Sequence, residues 1–231
     1  YESPVGTFAV GDLVYQYGGF NYYFYKRLSM ITEESFTRGL RYTIGNDKIA
    51  QSILIGSADM DAVGDVGGGT VLSLTELHSI GLFYGLRGSV MEDFTEGTTV
   101  YAGLEYNGAF GEALSAKLDV GYQSLPGAER GNVVTLLAEP VLRVGTFSTA
   151  LSVYALVDPA SANDLADEPL FGLGDEMFVY IEPGIAITEV VGVGLPLEYH
   201  AYDIESSGDD EFWAVPTLYI TPVDGVQWWV W

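Results

Sequence analysis

An all-β fold, a closed antiparallel barrel whose strands cross a membrane, is predicted by three observations. First, apolar and polar residues alternate in runs of about ten residues, which is the pattern of a strand with one apolar and one polar face. Second, the connections between these runs are alternately tight and long. Third, about ten residues rise roughly 33 Å, and a tilt of about 40° reduces this to the ~25 Å apolar band of membrane-spanning barrels. We expect about 12–16 strands, with short turns on one side and longer acidic loops on the other.

The alternation is most regular from residue 98 to residue 231. In the run 112–123, Leu114 and Leu118 fall on one face and Lys117 falls on the other. The runs that we predict as strands are 100–106, 112–123, 134–143, 147–157, 179–187, 191–201, 212–220 and 226–231. Their connections are tight turns at 107–111, 144–146, 188–189 and 222–225, and longer polar stretches at 124–132, 158–176 and 203–210. The Asp224-Gly225 pair is a strong hairpin signal.

The first part of the chain shows the same rhythm less regularly. Thr7–Tyr17 and Phe20–Arg27 flank Gly18-Gly19, which predicts a hairpin with a two-residue turn. The elements predicted next are strands at 36–44 and 49–57, a turn at 46–48 and an Asp/Gly-rich loop at 58–69. The stretch 70–90 fits either two strands that turn near 79–81 or a segment with a short helix. In all we expect about fourteen strands.

Composition supports a single barrel domain. We expect residues 1–231 to form one domain, because no linker divides the chain and the rhythm of 98–231 continues through 1–97. The 29 Gly, 16 Tyr and 13% aromatic residues suit tight turns and aromatic girdles. The absence of Cys excludes disulfide frameworks, thiol catalysis and Cys-based zinc sites. No apolar stretch is long enough for a membrane-spanning helix, and Tyr1 begins no signal peptide, so we expect any such peptide to have been removed.

The chain is strongly acidic. It has 9 Lys and Arg against 32 Asp and Glu, a formal net charge of −23 that repels nucleic acid. Much of the acid lies in the connections 158–176 and 203–210. One interpretation is a solvated surface that keeps these loops soluble. The other is a surface that attracts cations, or that binds divalent ions bridging to lipid head groups or neighbouring proteins.

The pattern from 98 to 231 resembles the Gram-negative outer-membrane β-barrels of the porin type. The resemblance covers a little over half of the chain and is one of pattern, without a diagnostic motif. It implies a location in the bacterial outer membrane, with short turns in the periplasm and long loops outside. It also implies a non-enzymatic, passive pore for small hydrophilic solutes, with outer-membrane lipid, homo-oligomers or other envelope proteins as partners. The alternatives are a structural outer-membrane protein without transport and a secreted, acidic β-sheet subunit of a sheath or surface layer.

If the apolar faces contact lipid, the opposite faces line the lumen. A Lys or Arg that faces lipid near the bilayer midplane costs about 2–4 kcal/mol, which places Lys117 and Arg143 inside. The pore-lining residues predicted in this way are Tyr101, Glu105, Lys117, Asp119, Glu139, Arg143, Tyr180, Glu182, Glu198 and His200. Because carboxylates outnumber basic side chains in this set, we expect a mild preference for cations. The alternative is that Glu139/Arg143 and Lys117/Asp119 are structural ion pairs.

Catalytic and metal-binding patterns are weak. Glu198 and His200 share a face, and Ser148 or Ser152 offers a hydroxyl, but nothing fixes their proximity, so we predict no catalytic site. An incomplete calcium-loop pattern ends at Thr70, where a bidentate Glu belongs. Its weak metal-ligand candidates are Asp59, Asp61 and Asp65. No cofactor is expected, apart from Ca²⁺ as a candidate on the acidic loops.

Two features conflict with a complete barrel. The tight connections at Gly18-Gly19 and 222–225 predict that the first run heads toward the short-turn side and the last run heads away from it. Both directions are opposite to those of a complete barrel of this type. The simplest explanations are that residues are missing from one or both ends, or that the assignment of the N-terminal strands has slipped; a barrel with inverted termini is less favoured. Prolines within the predicted strands remove ladder hydrogen bonds, so we expect bulges or strand ends at them. They are Pro140, Pro183, Pro196 and Pro216.

Overall fold

Antiparallel β-strands make up the regular structure of this chain. The structure, a computed structural model, describes residues 2–3, 6–14, 36–57, 63–89, 98–124, 132–157, 177–204, 208, 210–223 and 226–230. Its strands are β1 (Glu2–Ser3), β2 (Gly6–Val14), β3 (Phe36–Gly45), β4 (Ile49–Ser57), β5 (Val63–Ser73), β6 (His78–Ser89), β7 (Thr99–Phe110), β8 (Leu114–Ser124), β9 (Asn132–Val144), β10 (Phe147–Val157), β11 (Met177–Ala186), β12 (Val191–Gly194), β13 (Leu197–Ala201), β14 (Glu211–Ala214), β15 (Thr217–Val223) and β16 (Val226–Val230). The described residues contain no helix, and hence none that could span a membrane. The predicted all-β class is confirmed for this part of the chain.

All of these strands belong to one antiparallel sheet of 16 segments. Segments β12 and β13 lie end to end beside β11, and β15 and β14 lie end to end beside them. Each of these two pairs therefore acts as one interrupted strand, so the 16 segments make fourteen passes, the number expected from the sequence. Every pass pairs with the passes before and after it in the chain, which is a simple meander.

Short and long connections alternate along the meander, as predicted. The short ones are 46–48, 74–77, 111–113, 145–146, 187–190 and 224–225, and they lie at what we call the short-turn end of the sheet. The longer ones are 15–35, 58–62, 90–98, 125–131, 158–176 and 202–210, at the long-connection end. Two of the tight turns use a glycine with positive φ, Gly111 at 72° and Gly145 at 59°, a conformation that other residues rarely adopt.

The register shows that the strands are tilted. Thr7 lies one residue from the short-turn end of β2, and successive ladder partners lead from it across eight pairings to Leu156. Leu156 lies nine residues from the short-turn end of β10, so the strand ends shift by one residue per strand. With a rise of ~3.3 Å per residue and a strand spacing of ~4.8 Å, this stagger gives a tilt of roughly 35°. Closed barrels have tilts of about 35–45°.

The two faces of the sheet differ in chemistry and in exposure. On β8, Leu118 is 47% exposed and the adjacent Asp119 is 1% exposed. Large exposed apolar side chains share the face of Leu118, which we call the outer face; they include Ile53, Leu82, Leu104, Val120, Leu136 and Ile185. One contiguous buried cluster lies on the face of Asp119, the inner face: Leu13, Leu54, Phe83, Tyr101, Val133, Leu137, Tyr154, Leu156, Phe178 and Tyr180. The sheet therefore has an apolar exposed side and a mixed polar and aromatic buried side.

Glycines allow aromatic rings of the inner face to lie against the neighbouring strand. Gly103 is the ladder partner of Phe83, and a methyl group added to Gly103 would overlap that ring and the Val120 carbonyl oxygen. Gly85 has the same relation to Tyr101. Such rings cover the backbone that a glycine leaves bare, which compensates for glycine inside a strand. Phe83 and Tyr101 thus lie along the wall of the sheet.

Two of the four in-strand prolines mark strand breaks, as predicted. Pro196 separates β12 from β13, and Pro216 separates β14 from β15. Pairing continues across the first break, because the amide of Leu195 donates to the carbonyl of Pro183 at 3.0 Å. Pro183 and Pro140, by contrast, keep their ladder positions within β11 and β9. The sheet therefore accommodates its prolines without ending at them.

The beginning of the chain differs from the prediction in direction. β2 pairs with β3 over Thr7–Val14 and runs from the short-turn end to the long-connection end, opposite to the direction predicted. That direction had been inferred from the Gly18-Gly19 turn signal, whereas pairing with β3 makes 15–35 the connection after β2. The predicted partner strand Phe20–Arg27 and its turn lie outside the described residues. β16 does run away from the short-turn end, as predicted.

The stretch 58–90 also differs from the prediction. Residues 63–69, predicted as a loop because of their glycines, belong to β5, where Tyr84 of β6 lies opposite Gly68. The following turn is at Leu74–Leu77, before the predicted 79–81, and no helix forms there. Glycine content misled the prediction because the cross-strand side chains that cover glycines are not visible in a local stretch of sequence.

The predicted closure of the barrel is not seen among the described residues. β1 pairs only with β2 there, and β16 pairs only with β15, so the sheet has two edges. In the part of the chain that the structure describes, β1 comprises Glu2 and Ser3 and pairs with β2 at these two positions. The two edge strands β1 and β16 run in opposite directions, which is the orientation that antiparallel pairing requires.

Replacing Gly103 by Ala should lower the free energy of unfolding by about 1–3 kcal/mol, because the added methyl group overlaps the Phe83 ring and a backbone oxygen. Gly184→Ala is the matched control, since it lies on the same face and the nearest atom to its methyl group would be 3.5 Å away. Urea unfolding followed by tryptophan fluorescence measures both variants. Equal unfolding midpoints would contradict the packing of Phe83 on Gly103.

Candidate functional site: the inner face

All charged residues of strands β7–β13 lie on the inner face. Ladder positions place them on one side of the sheet: Glu105, Lys117, Asp119, Glu139, Arg143, Glu182 and Glu198. Asp119, Glu139 and Glu198 are buried, whereas Arg143, beside a short turn, is exposed. Tyr101, Tyr180 and His200 lie on this face as well. The structure thus brings every predicted pore-lining residue to one face.

Polar side chains of neighbouring strands form a continuous line across this face. Consecutive ladder partners connect Ser79, Asn107, Lys117 and Glu139, and then Ser152, Tyr180 and Glu198. The two parts are joined by the Ser152 hydroxyl, which donates to Glu139 Oε1 at 2.9 Å. We call these seven residues the polar row. It crosses the sheet from β6 to β13 and supplies one hydrogen-bonding side chain from each strand.

Near the short-turn end, Lys117 of the polar row forms an ion pair with Glu105, which is not a member of the row. Lys117 Nζ lies 3.3 Å from Glu105 Oε2, and Asn107 Nδ2 donates to Glu105 Oε1 at 2.6 Å. The predicted partner of Lys117 was Asp119, two residues away on the same strand. The observed partner comes from the adjacent strand β7, where Glu105 is the diagonal neighbour of Lys117, two residues from its ladder partner Asn107. Sequence reasoning missed Asn107 because it was assigned to a turn, whereas β7 extends to Phe110.

Carboxylates further along the face are held by hydroxyl groups. Buried Glu139 accepts its hydrogen bond from Ser152. Glu182 accepts from two tyrosines: Tyr180 donates to Oε2 at 2.7 Å, and Tyr219 of β15 donates to Oε1 at 2.7 Å. Hydrogen bonds to a carboxylate are about twice as strong as neutral ones, so they fix these charges in place. Tyr219 was not predicted as a site residue.

At the other end of the polar row, Glu198 and His200 form a buried pair. Both are almost fully shielded from solvent, and His200 Nε2 contacts Glu198 Oε1. The edge of the imidazole packs on Phe178, with ring centroids 4.7 Å apart, and Tyr202 stacks on it at 6.0 Å. The sequence predicted that Glu198 and His200 share a face, since residues two apart on a strand do so.

The inner face is filled at one end and open at the other. The buried aromatic residues Tyr101, Tyr154 and Phe178 lie toward the long-connection ends of their strands. At the short-turn end there is instead a cavity of about 560 Å³ beside Asn107 and Lys117. The inner face is therefore shielded from solvent near the long-connection end and accessible to solvent near the short-turn end.

The geometry does not assemble a nucleophile and a base. Ser152, the hydroxyl considered for catalysis, is bonded to Glu139, and its ladder neighbour Tyr180 separates it from Glu198. Two strand spacings amount to roughly 10 Å, too far for a hydrogen bond to the Glu198–His200 pair.

Metal candidates remain as weak as the sequence suggested. Asp59 and Asp61 lie outside the described residues, and Asp65 is placed only as a member of β5. Within the described ranges, no three or more His, Asp or Glu side chains are grouped so as to hold a metal ion.

The second histidine lies on the outer face at the short-turn end. His78 Nδ1 is 2.8 Å from the hydroxyl of Tyr106, and its ring packs edge-on against Phe110 at 5.3 Å. Gly108 makes room for this cluster, because an added methyl group would overlap Tyr106 and His78. Rings with one apolar and one polar end suit a boundary between water and an apolar phase.

Replacing Glu198 by Leu should destabilise the fold by about 1–3 kcal/mol, because it leaves the His200 imidazole buried without its hydrogen-bond partner. The double variant Glu198→Leu/His200→Phe should recover most of this loss, since it removes both polar groups. Urea unfolding midpoints of the two variants test the pair. A double variant that is as unstable as the single one would show that the contact is not the source of the effect.

Comparison with models of known protein families found no match, and comparison with curated proteins found no similar sequence. The distribution of charge, apolar surface and cavities over the two faces is therefore the basis on which a function can be assigned.

Proposed function

We propose that this protein is a bacterial outer-membrane β-barrel that acts as a passive, mildly cation-preferring pore for small hydrophilic solutes. The observation that supports the proposal most strongly is the exposed apolar outer face. Water-soluble proteins bury such side chains and rarely expose apolar patches larger than about 600 Å². Here the outer face exposes Leu, Ile and Val on strand after strand, while the carboxylates are on the buried face. That inversion suits a sheet with lipid outside and a polar lumen inside.

The tilt and the number of passes support a closed form of the sheet. Fourteen strands spaced ~4.8 Å apart and tilted by roughly 35° would close into a barrel of radius about 13 Å. Eight-stranded barrels are filled by their own side chains, whereas 16-stranded barrels leave an aqueous channel. A barrel of fourteen lies between these cases, so its side chains decide how wide the lumen is.

The charges of the inner face support a preference for cations. Its carboxylates outnumber Lys117 and Arg143, and Lys117 is already paired with Glu105. The carboxylates of strands β7–β13 are Glu105, Asp119, Glu139, Glu182 and Glu198. In a lumen with apolar walls around it, such an excess raises the local concentration of cations. The acidic connections 158–176 and 203–210 would act in the same direction at the outer mouth.

A second candidate is a structural outer-membrane protein without transport. It is favoured by one observation, the buried cluster around Tyr101, Tyr154 and Phe178 that closes the long-connection half of the inner face. The outer face permits either a monomer or a homo-oligomer in lipid under both proposals. The third reading from the sequence, a secreted acidic β-sheet subunit, requires the outer face to be covered by protein, which extraction without detergent would reveal.

Leu118→Lys should prevent stable insertion into lipid, because a lysine on the outer face at mid-depth costs about 2–4 kcal/mol. Lys117→Met, one residue earlier and on the inner face, is the matched control and should insert. Refolding into phospholipid vesicles, followed by protease protection and heat-dependent gel mobility, measures insertion. If Leu118→Lys inserts as well as the unmodified protein, or if the unmodified protein stays soluble without detergent, the membrane assignment is wrong.

In planar bilayers under a salt gradient, the reversal potential should show preference for cations. The double variant Asp119→Asn/Glu139→Gln should reduce that preference, because it removes two buried carboxylates from the inner face. Glu189→Gln, in the exposed turn 187–190, is the control and should leave the reversal potential unchanged. Preference for anions would overturn the electrostatic argument. Absence of conductance in a correctly inserted protein would favour the structural candidate.

A further inference from the structure

The cavity at the short-turn end has the size and the walls of a binding site. Its volume of about 560 Å³ lies within the roughly 300–1,000 Å³ typical of small-molecule sites. It opens on the inner face between β5 and β9, and the turn Leu74–Leu77 forms part of its wall. Hydroxyl groups and one amide surround it, from Ser73, Thr75, Ser79, Ser115 and Asn107. These groups hydrogen-bond a hydroxylated molecule better than an apolar one.

The charges in this cavity favour a cation. Glu139 and Glu76 line it together with Lys117 and the imidazole of His78, whose Nδ1 lies 2.8 Å from the Tyr106 hydroxyl. Lys117 is held by Glu105 at 3.3 Å, so its charge is largely compensated. Glu139 is 6% exposed, and Ser152 fixes one of its oxygens. A positive group that enters the cavity would therefore meet an oriented, poorly hydrated carboxylate, whereas an anion would meet a compensated lysine.

We propose that this cavity binds a small hydroxylated organic ammonium, such as an amino sugar or an amino alcohol, with its ammonium group on Glu139. A bare metal ion suits it less, because a group of three metal-ligating side chains is absent from the described residues and the volume far exceeds one ion. The proposal deepens the proposed function by naming a solute class, and it rests on that function only for the side of the membrane from which the solute arrives.

Glucosamine, glucose and glucuronate provide matched probes, because they share a hydroxylated ring and carry a positive, a neutral and a negative group. Binding is measured by isothermal titration calorimetry on the full chain in detergent micelles, at a pH at which the amine is protonated. We expect saturable binding of glucosamine, with affinity at least about tenfold higher than for the other two, as a charge-assisted hydrogen bond provides.

Glu139→Gln should weaken glucosamine binding by about tenfold or more, because the amide keeps the shape of the side chain and loses its charge. Glu182→Gln is the matched control, since Glu182 lies on the same face and does not line the cavity. Its affinity for glucosamine should be unchanged. Unfolding midpoints close to that of the unmodified protein establish that both variants are folded.

The outcomes separate this inference from the pore proposal. Equal binding of glucuronate, loss of affinity in Glu182→Gln alone, or no saturable binding of glucosamine would each overturn the inference. If the protein conducts ions in bilayers but does not bind glucosamine, the pore proposal stands and the binding-site proposal is wrong. If the protein binds glucosamine in micelles but does not conduct ions, the binding-site proposal stands and the pore proposal is wrong.

Discussion

The structure depends on one constraint, the strict alternation of side chains along strands that are held in register by backbone ladders. Because successive side chains point to opposite faces, the pairing of one strand decides the chemistry of both faces of its neighbours. From β2 to β15 the described ladders keep a constant register, and the shift between Ile220 and Val223 affects only the pairing with β16. The exposed apolar face, the buried carboxylates and the polar row all follow from that register.

The same constraint explains why the inner face tolerates so many charges. Several of the carboxylates have a partner side chain on another strand: Glu105 with Lys117, Glu139 with Ser152, and Glu182 with Tyr219. A buried charge without a partner would destabilise the fold by more free energy than these short-range contacts contribute. The aromatic rings that lie flat over glycines complete the wall, since they shield the backbone where no side chain does. Polar and aromatic packing thus replace the aliphatic core of a soluble sheet.

The sequence was sufficient to predict which residues share a face, and it was insufficient wherever a neighbouring strand decides the outcome. Lys117 and Glu139 were assigned to the inner face by local alternation, and the structure agrees. The partner of Lys117 was predicted wrongly, because cross-strand register cannot be read from one strand. The glycines of β5 were taken for a loop for the same reason. The cavity escaped prediction altogether, since a turn and five strands build it together.

The tilt of the strands has a consequence for the polar row. The row crosses the strands at right angles, so its members rise from Ser79, one residue above the short-turn end of β6, to Glu198, seven residues above that of β12. The polar groups therefore follow an inclined path across the sheet, with one group from each strand pass. The length of the connections does not affect the positions of these polar groups, because strand register alone sets them. If a strand gained a single residue, its side chain in the polar row would move to the outer face of the sheet. Evolution can therefore lengthen the connections freely, but it can change the length of a strand only together with its neighbours.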